Sequence, residues 1–465
     1  MDNFWTRFSA LEGSGFEFLK GSSCQLDHYD VKLQIHNQDH SIDVQGTARG
    51  HVIGTTADRL RFLLGLNYVN PNQVSFTFHE LTFGGKPAAY HSDKHMHRLL
   101  FGRELGEGDA FEIGFSYKAS PVARKCWVNS ESDWPIPGLG DGETELCFEG
   151  YWLPFANERF QLVTADIQIE DLPGATVLFN GQLLGTGYED DRLVHRFSTW
   201  MPTFPTVVAG DFQVVTRQIG NGTLAFYHQP GYADVVETML DIAESVLSIL
   251  VELLGTNPVR DFSLIQLKRT DWGPYAPFPF VLFPFKDISG LGDGSDWKRV
   301  TQMLAHEIGH FWFGVLLRSG PTEQWLSEGF AQYMNLLVTE RLYGRDALDQ
   351  ELEEYVSKLS EIEAADQAPL CNIPLDRPAQ FALVRTKGAI VLHCLRQECT
   401  EDLFWTFLRQ LVEIHQGKLI DTTTVENVCR VTGTLRDAPA FFETHLRSMA
   451  KYHWDAKARR INVTP

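Results

Sequence analysis

The chain has 465 residues, 43% of them hydrophobic and 12% aromatic, which excludes disordered and fibrous classes and suits two domains, each large enough for its own core. Forty basic against sixty acidic residues give a net charge of -20; such a surface repels phosphate backbones and anionic membranes, so no nucleic acid and no membrane partner is expected. Seven cysteines, an odd number without paired CxxC spacing, indicate neither a disulfide framework nor a thiolate metal site.

The first twenty residues lack a basic start followed by a continuous apolar run, so no secretory signal is read and a cytoplasmic location is expected. Short alternating segments at 31–35, 48–53, 74–78, 111–117 and 164–169 fit strands of an antiparallel β domain covering residues 1–217. Within it, His91, His95 and His97 are either a second metal cluster or ordinary surface histidines of a hairpin. The composition changes near Gln218, which opens a second domain, 218–465. Apolar residues fall at helical spacing over 234–254, and 261–267 and 278–285 read as strands bracketing a turn at Gly273. The proline-rich text of the latter, PFPFVLFPF, suits an edge strand, since proline cannot donate to a ladder. Such an edge can bind an extended peptide by strand addition, although Pro277, Pro279 and Pro284 remove some of the donors.

The next segment is the most informative. His306-Glu307-Ile308-Gly309-His310 lies in a stretch, 297–317, that reads as a helix opened by Ser295-Asp296. Two histidines four apart on a helix share one face and can reach one ion. Glu328, in the run Trp325-Leu326-Ser327-Glu328-Gly329-Phe330, supplies a third ligand from a second helix expected over 325–343 and stopped by Gly344. Two imidazoles and a carboxylate favour zinc, one ion per chain, with a fourth position left for water. Glu307 beside the ligands is then the general base. On the second helix Gln332 and Asn335 recur with Glu328 on one stripe, which is either a solvated face or the ligand and its hydrogen-bond partners. The remainder reads as helices at 346–364, 386–397 and 402–416, a Thr-capped helix from Thr424, and a last one at 439–453.

The motifs HEIGHFWFG, from His306, and WLSEGFA, from Trp325, resemble the zinc motif of the gluzincin aminopeptidases, peptidase family M1. Weaker resemblances in the same order, such as LDHYDVKLQIHNQDHSIDVQGTARGH from Leu26 and KGAIVLHCLR from Lys387, extend the likeness over most of the chain. The resemblance implies an α+β architecture: an N-terminal antiparallel β domain, then a thermolysin-like zinc catalytic domain with a small mixed sheet and helices.

Three departures stand out. The family places eighteen residues between the second histidine and the glutamate; here there are seventeen, Phe311 to Ser327. Its Gly-x-Met-Glu-Asn segment, whose carboxylate holds the substrate's α-amine, corresponds to Gly273-Pro274-Tyr275-Ala276-Pro277, with Ala276 in place of the glutamate. Gly273, Tyr275 and Ala276 thereby become the candidate substrate contacts. The family's oxyanion-binding tyrosine falls at Arg385, two residues before Lys387-Gly388. An arginine there can stabilise an oxyanion or bind a substrate carboxylate, or else point to solvent. Glu145 and Glu149 are candidates to restore an amine contact, and Tyr275 and Tyr333 to supply a phenol.

The reading is a zinc-dependent, aminopeptidase-like hydrolase with Glu307 and Arg385 catalytic, acting on a peptide or peptide-like small substrate. The alternatives are a specialised hydrolase of a biosynthetic intermediate without a free α-amine, and a non-catalytic zinc-containing binding protein.

Overall fold

A computed structural model describes residues 22–464 apart from 37–40, 65–74, 94–95, 121–138, 141, 148–151, 157–161, 171–173, 234, 269–273, 285–296, 363–366, 372 and 374–381. Among the described residues the regular elements of the N-terminal half are all strands: β1 (Cys24–His36), β2 (Ser41–Val52), β3 (Thr56–Leu63), β4 (Ser75–Phe83), β5 (Lys86–Pro87), β6 (Tyr90–Asp93), β7 (Met96–Gly106), β8 (Ala110–Ser120), β9 (Leu139–Gly140), β10 (Glu143–Leu146), β11 (Thr164–Glu170), β12 (Thr176–Phe179), β13 (Gln182–Glu189), β14 (Arg192–Ser198) and β15 (Val207–Gly210). They form an eight-stranded sheet ordered β13-β14-β11-β1-β2-β8-β4-β5, a four-stranded sheet β12-β15-β10-β9 and a three-stranded sheet β3-β7-β6. The period-2 pattern decides the faces: in β1, Val31, Leu33 and Ile35 are buried while their neighbours are not. One pairing departs from the antiparallel expectation, since β1 runs parallel to β11 from His28↔Thr164 to Gln34↔Glu170. A strand that returns after a long connection is free to pair this way, whereas a tight hairpin is not.

The second half opens with β16 (Gln213–Ile219) and β17 (Gly222–His228), then α1 (Val236–Leu254), β18 (Phe262–Leu267) and β19 (Phe280–Pro284). The sheet order is β16-β17-β18-β19, with β18 parallel to both neighbours and α1 the crossover between β17 and β18. α1 buries Met239, Leu240, Ala243, Leu247, Leu250 and Leu254 and stops at Gly255, whose φ of 75° suits glycine. β19 is the terminal strand, as its prolines imply, but its outer edge carries an antiparallel bridge from Tyr275 to Leu282.

Beyond β19 come α2 (Trp297–Gly309), β20 (Leu317–Ser319), a 3-10 turn (Pro321–Leu326), α3 (Glu328–Tyr343), α4 (Arg345–Glu361), a π turn (Leu383–Lys387), α5 (Gly388–Gln397), α6 (Glu401–His415), β21 (Lys418–Ile420), α7 (Thr422–Thr432), α8 (Ala438–Phe442), a second π turn (Glu443–Arg447) and a hairpin of β22 (Lys451–Asp455) and β23 (Arg460–Thr464). Three expectations are corrected here. The helix expected over 297–317 ends at Gly309; the chain turns at Gly314 (φ 134°), whose N–H donates to Leu317 O at 2.8 Å, and β20 pairs in parallel with β21. The helix expected from Thr424 starts at Thr422, because Asp421 is the cap, its carboxylate accepting from Thr424 N. The helix expected over 439–453 ends by Arg447, and 451–455 enters the hairpin, where its backbone finds ladder partners.

The two halves meet through an apolar patch, Val208 and Phe212 against Ile265, Leu267, Phe280 and Leu282. Buried polar groups also cross the junction. Glu143 accepts from Gln229 Nε2 at 3.0 Å and from Lys268 N at 3.0 Å. Asn180 Nδ2 donates to Phe278 O at 3.1 Å and Thr203 Oγ1 to the same carbonyl at 2.8 Å, so the first half grips the chain leading into β19. Among the described residues Cys24, Cys371, Cys394, Cys399 and Cys429 are free thiols, and no helix is long and apolar enough to cross a membrane.

Candidate metal centre

The site is built where α2 ends and α3 begins. Gly309 sits on the α2–α3 contact, where a Cβ would lie 3.1 Å from Met334 Cβ, so a glycine lets the two helices close. His306 occupies the last turn of α2, His310 follows its end, and Glu328 is the first residue of α3. His306 Nε2 and His310 Nε2 are 3.2 Å apart; Glu328 Oε2 is 3.4 Å from the first and Oε1 is 3.6 Å from the second. One ligand atom from each of the three lies within 4.8 Å of the others, the one such group among the described residues. The seventeen-residue connection passes through β20 and the 3-10 turn and still delivers Glu328 to both histidines.

Hydrogen bonding fits these groups to a cation. His310 Nδ1 is 3.0 Å from Phe313 O, and a carbonyl only accepts, so Nδ1 carries the proton and Nε2 presents a lone pair. That lone pair faces a second imidazole nitrogen and a carboxylate. Buried Glu328 Oε2, the atom that faces His306 Nε2, has no hydrogen-bond partner among the described residues, so the cluster does not satisfy itself. Burial pushes His306 down to about 3, with the Arg385 charge adding to it, which keeps the imidazole neutral as a ligand must be. Burial acts to raise Glu328, but His310, His306 and Arg385 outweigh it and hold the carboxyl down at about 2. Two imidazoles and one carboxylate are a donor set for zinc.

Glu307, buried at 5% exposure, adjoins His306 on α2. Arg385 is carried by the π turn ahead of α5, which packs on α3. It does not point to solvent: its Nε donates to Gln332 Oε1 at 2.6 Å, and its charge reaches His306 and Glu328. The solvated-face reading of the Glu328, Gln332 and Asn335 stripe is therefore corrected. Every residue from Gly329 to Thr339 is buried, because α3 is packed on by α2, α4 and α5 at once. Asn335 accepts from Thr339 Oγ1 at 3.2 Å, while Gln332 supports Arg385.

The other candidates are distributed as follows. Tyr275 OH donates to Glu145 Oε1 at 2.7 Å, joining the segment where the amine-anchoring glutamate would lie to a buried carboxylate on β10. Ala276 is half-buried beside it; Gly273 and Glu149 lie outside the described residues. Tyr333 is core, its ring edge-on to Phe404 and its hydroxyl 3.4 Å from His393 Nδ1. Both readings of the histidine cluster are corrected at His97, which is buried, stacked on Phe62 and bonded through Nε2 to Leu64 O at 2.9 Å; a ring spent on a carbonyl and a phenylalanine is neither surface nor ligand. His95 lies outside the described residues. Sequence reasoning missed Tyr355, whose hydroxyl accepts from Gln332 Nε2; inside an ordinary amphipathic helix it gives no signal.

Comparison with known proteins agrees with this geometry. Residues 289–436 match the family model for the Peptidase family M1 domain. Aminopeptidase M1 of Arabidopsis thaliana is 23% identical over 291 residues, 59% of this chain and 32% of that protein. Endoplasmic reticulum aminopeptidase 1 of Rattus norvegicus is 24% identical over 284 residues, 56% of this chain and 29% of that protein. The chain thus spans about a third of the length of these relatives. In fold, a crystal structure of an M1 zinc metallopeptidase variant from Deinococcus radiodurans superposes with a TM-score of 0.71 at 17% identity, covering 92% of this chain and 95% of its own. A second crystal structure of that variant, bound to a Tyr-Ser-Ala substrate, gives the same TM-score of 0.71.

Proposed function

Because the chain belongs to peptidase family M1, we propose that it is a zinc-dependent, aminopeptidase-like hydrolase that cleaves an amide bond in a peptide or peptide-like substrate. The observation that carries this is the convergence of His306, His310 and Glu328 within 4.8 Å, with the buried carboxylate Glu307 on the same helix turn. His306, His310 and Glu328 would hold the ion, one per chain; zinc held there supplies a Lewis acid that acidifies a water and polarises a carbonyl. Glu307 takes the proton of the attacking water and passes it to the leaving nitrogen. Arg385 faces the same space from the other side and offers cationic donors to the oxyanion as charge develops on it.

Ala276 removes the expected carboxylate at one amine contact, but Glu145 supports a second. It is buried, and its Tyr275 partner is the neighbour of Ala276. On this reading Glu145 receives the free α-amine of the substrate from the first half of the chain. The Tyr-Ser-Ala substrate bound by the Deinococcus radiodurans protein is a ligand of the class proposed.

The test is metal content together with hydrolysis of paired free-amine and N-blocked amides, with wild type, Glu307→Gln and Glu145→Gln. About one zinc per chain, cleavage that disappears in Glu307→Gln while zinc stays, and a free-amine preference that Glu145→Gln erases are the expected results. Zinc with no Glu307-dependent cleavage of any amide overturns the hydrolase reading.

A further inference from the structure

The described contacts of Arg385 pose a question of their own. An arginine at a reacting centre is useful only if its guanidinium is held, because a free side chain loses about 2 kcal/mol of rotamer entropy on being ordered. Here the support is visible. The Nε–H donates to Gln332 Oε1 at 2.6 Å, Gln332 Nε2 donates to Tyr355 OH, and both supporting residues are buried, Gln332 at 5% and Tyr355 at 7% exposure. Burial raises the Tyr355 phenol, so its hydroxyl keeps its proton at ordinary pH. Among the described residues nothing accepts from the two terminal nitrogens of Arg385, while its charge is felt at His306 and Glu328.

The backbone fixes the other end. Arg385 lies in the π turn, a form that re-aims side chains within a helix. That turn is pressed onto the first turn of α3: a Cβ on Gly329 would lie 3.0 Å from Val384 O and 2.9 Å from Gly388 Cα. Glu328, the adjoining residue, is thereby tied to the element that carries Arg385.

From this geometry we infer that Gln332 and Tyr355 are positioning residues for the proposed reaction: Gln332, steadied by Tyr355, holds Arg385 by its Nε and so directs its two terminal nitrogens at the oxyanion. The inference rests on the hydrolase reading. It assigns Gln332 no contact with substrate and no proton transfer, and every effect of Gln332 passes through Arg385.

The test is a double-mutant cycle with the amide that wild type cleaves best. Gln332→Leu loses the acceptor and is expected to lower kcat about 10²-fold, the cost of a misplaced catalytic group, with KM within about twofold and zinc content unchanged. Gln332→Glu keeps an oxygen for Nε–H and restores kcat to within about tenfold of wild type, since a carboxylate accepts the same bond. In an Arg385→Ala background, Gln332→Leu changes kcat by less than about twofold, because residues acting as one unit are not additive. A full second drop in that background, or a change confined to KM, overturns the inference. A readout independent of turnover is solvent exchange of the Arg385 Nε–H by NMR in arginine-labelled protein. It is expected to be slow in wild type and Gln332→Glu and fast in Gln332→Leu; equal rates overturn the tether even where a variant is poorly active. If no amide is cleaved, the failure belongs to the hydrolase reading and takes the kinetic half of the inference with it, and Nε–H exchange alone decides the tether.

Discussion

The contact between Gly329 and Gly388 ties Glu328, the proposed metal ligand, to the π turn that carries Arg385, and Gly388→Ala tests how tightly. A Cβ on Gly388 would lie 2.8 Å from Gly329 Cα, about 0.6 Å inside the 3.4 Å at which ordinary contact begins. The obstructing atom is backbone, so no side chain can swing away and the helices must part. Overpacking of this kind costs about 1–3 kcal/mol. Opposing it, alanine is better than glycine inside a helix by about 1 kcal/mol. The net expectation is a loss of about 0–2 kcal/mol, centred near 1, or a fall in Tm of roughly 2–4 °C for a domain of this size. The larger effect is functional: α3 is displaced at its first turn, so zinc affinity falls in parallel. Urea unfolding of the metal-free protein measures the first quantity and competition with a chromophoric chelator the second. Gly329→Ala, which meets Gly388 Cα at 2.9 Å and Val384 O at 3.0 Å, should behave alike. A Tm that rises by the full helix-propensity gain, with zinc affinity unchanged, would refute the close-packing argument.

Other consequences follow from single residues. Burial pushes His393 down to about 3 and His445 down to about 4, with nearby Arg345 and Arg396 acting on the first and Lys387 on the second. Both are depressed below the unfolded value, so they contribute stability that is present above about pH 6.5 and lost as pH falls toward those values. Between pH 6.5 and pH 5 each should remove about 2 kcal/mol, and His393→Gln in chelated protein should narrow the pH 7 to pH 5 difference in unfolding free energy by about that amount. Zinc at a thousandfold excess over its Kd should stabilise wild type by about 4 kcal/mol, a gain that calorimetry should find largely missing in Glu328→Gln. Asn180→Ala removes donors to Phe204 O at 2.7 Å and Phe278 O at 3.1 Å inside the junction. It should cost about 2–3 kcal/mol in urea unfolding and raise KM through the loosened 275–278 segment, whereas an unchanged KM would separate that segment from substrate binding.

The candidate metal ligands and the strand pattern were legible in the sequence because each rests on a local period. His306 and His310 are one helical turn apart, and Val31, Leu33 and Ile35 alternate on β1. What stayed hidden depends on which surfaces are covered by elements distant in the chain. The polar residues of α3 look solvated by composition, yet Gln332 and Asn335 are buried because α2, α4 and α5 surround the helix. His97 hides for the same reason, its ring turned inward between Phe62 and Leu64. Helix ends misled where helix-forming text continues past a stop: nothing in the run after His310 marks Gly314 as a turn ahead of a parallel strand pair whose partner is a hundred residues away.

The burial of α3 also explains why an arginine is tolerated beside the proposed zinc ligands. A guanidinium brought toward two histidines opposes any positive charge on them, and it carries its own desolvation cost. Both are offset only if the surroundings supply acceptors and a net negative charge. Gln332 Oε1 accepts from the Nε, and the Glu328 and Glu307 carboxylates lie on the elements that frame the same space. A polar stripe on a buried helix is therefore what makes Arg385 possible, and exchanging Arg385 alone for tyrosine would leave Gln332 Oε1 without its donor.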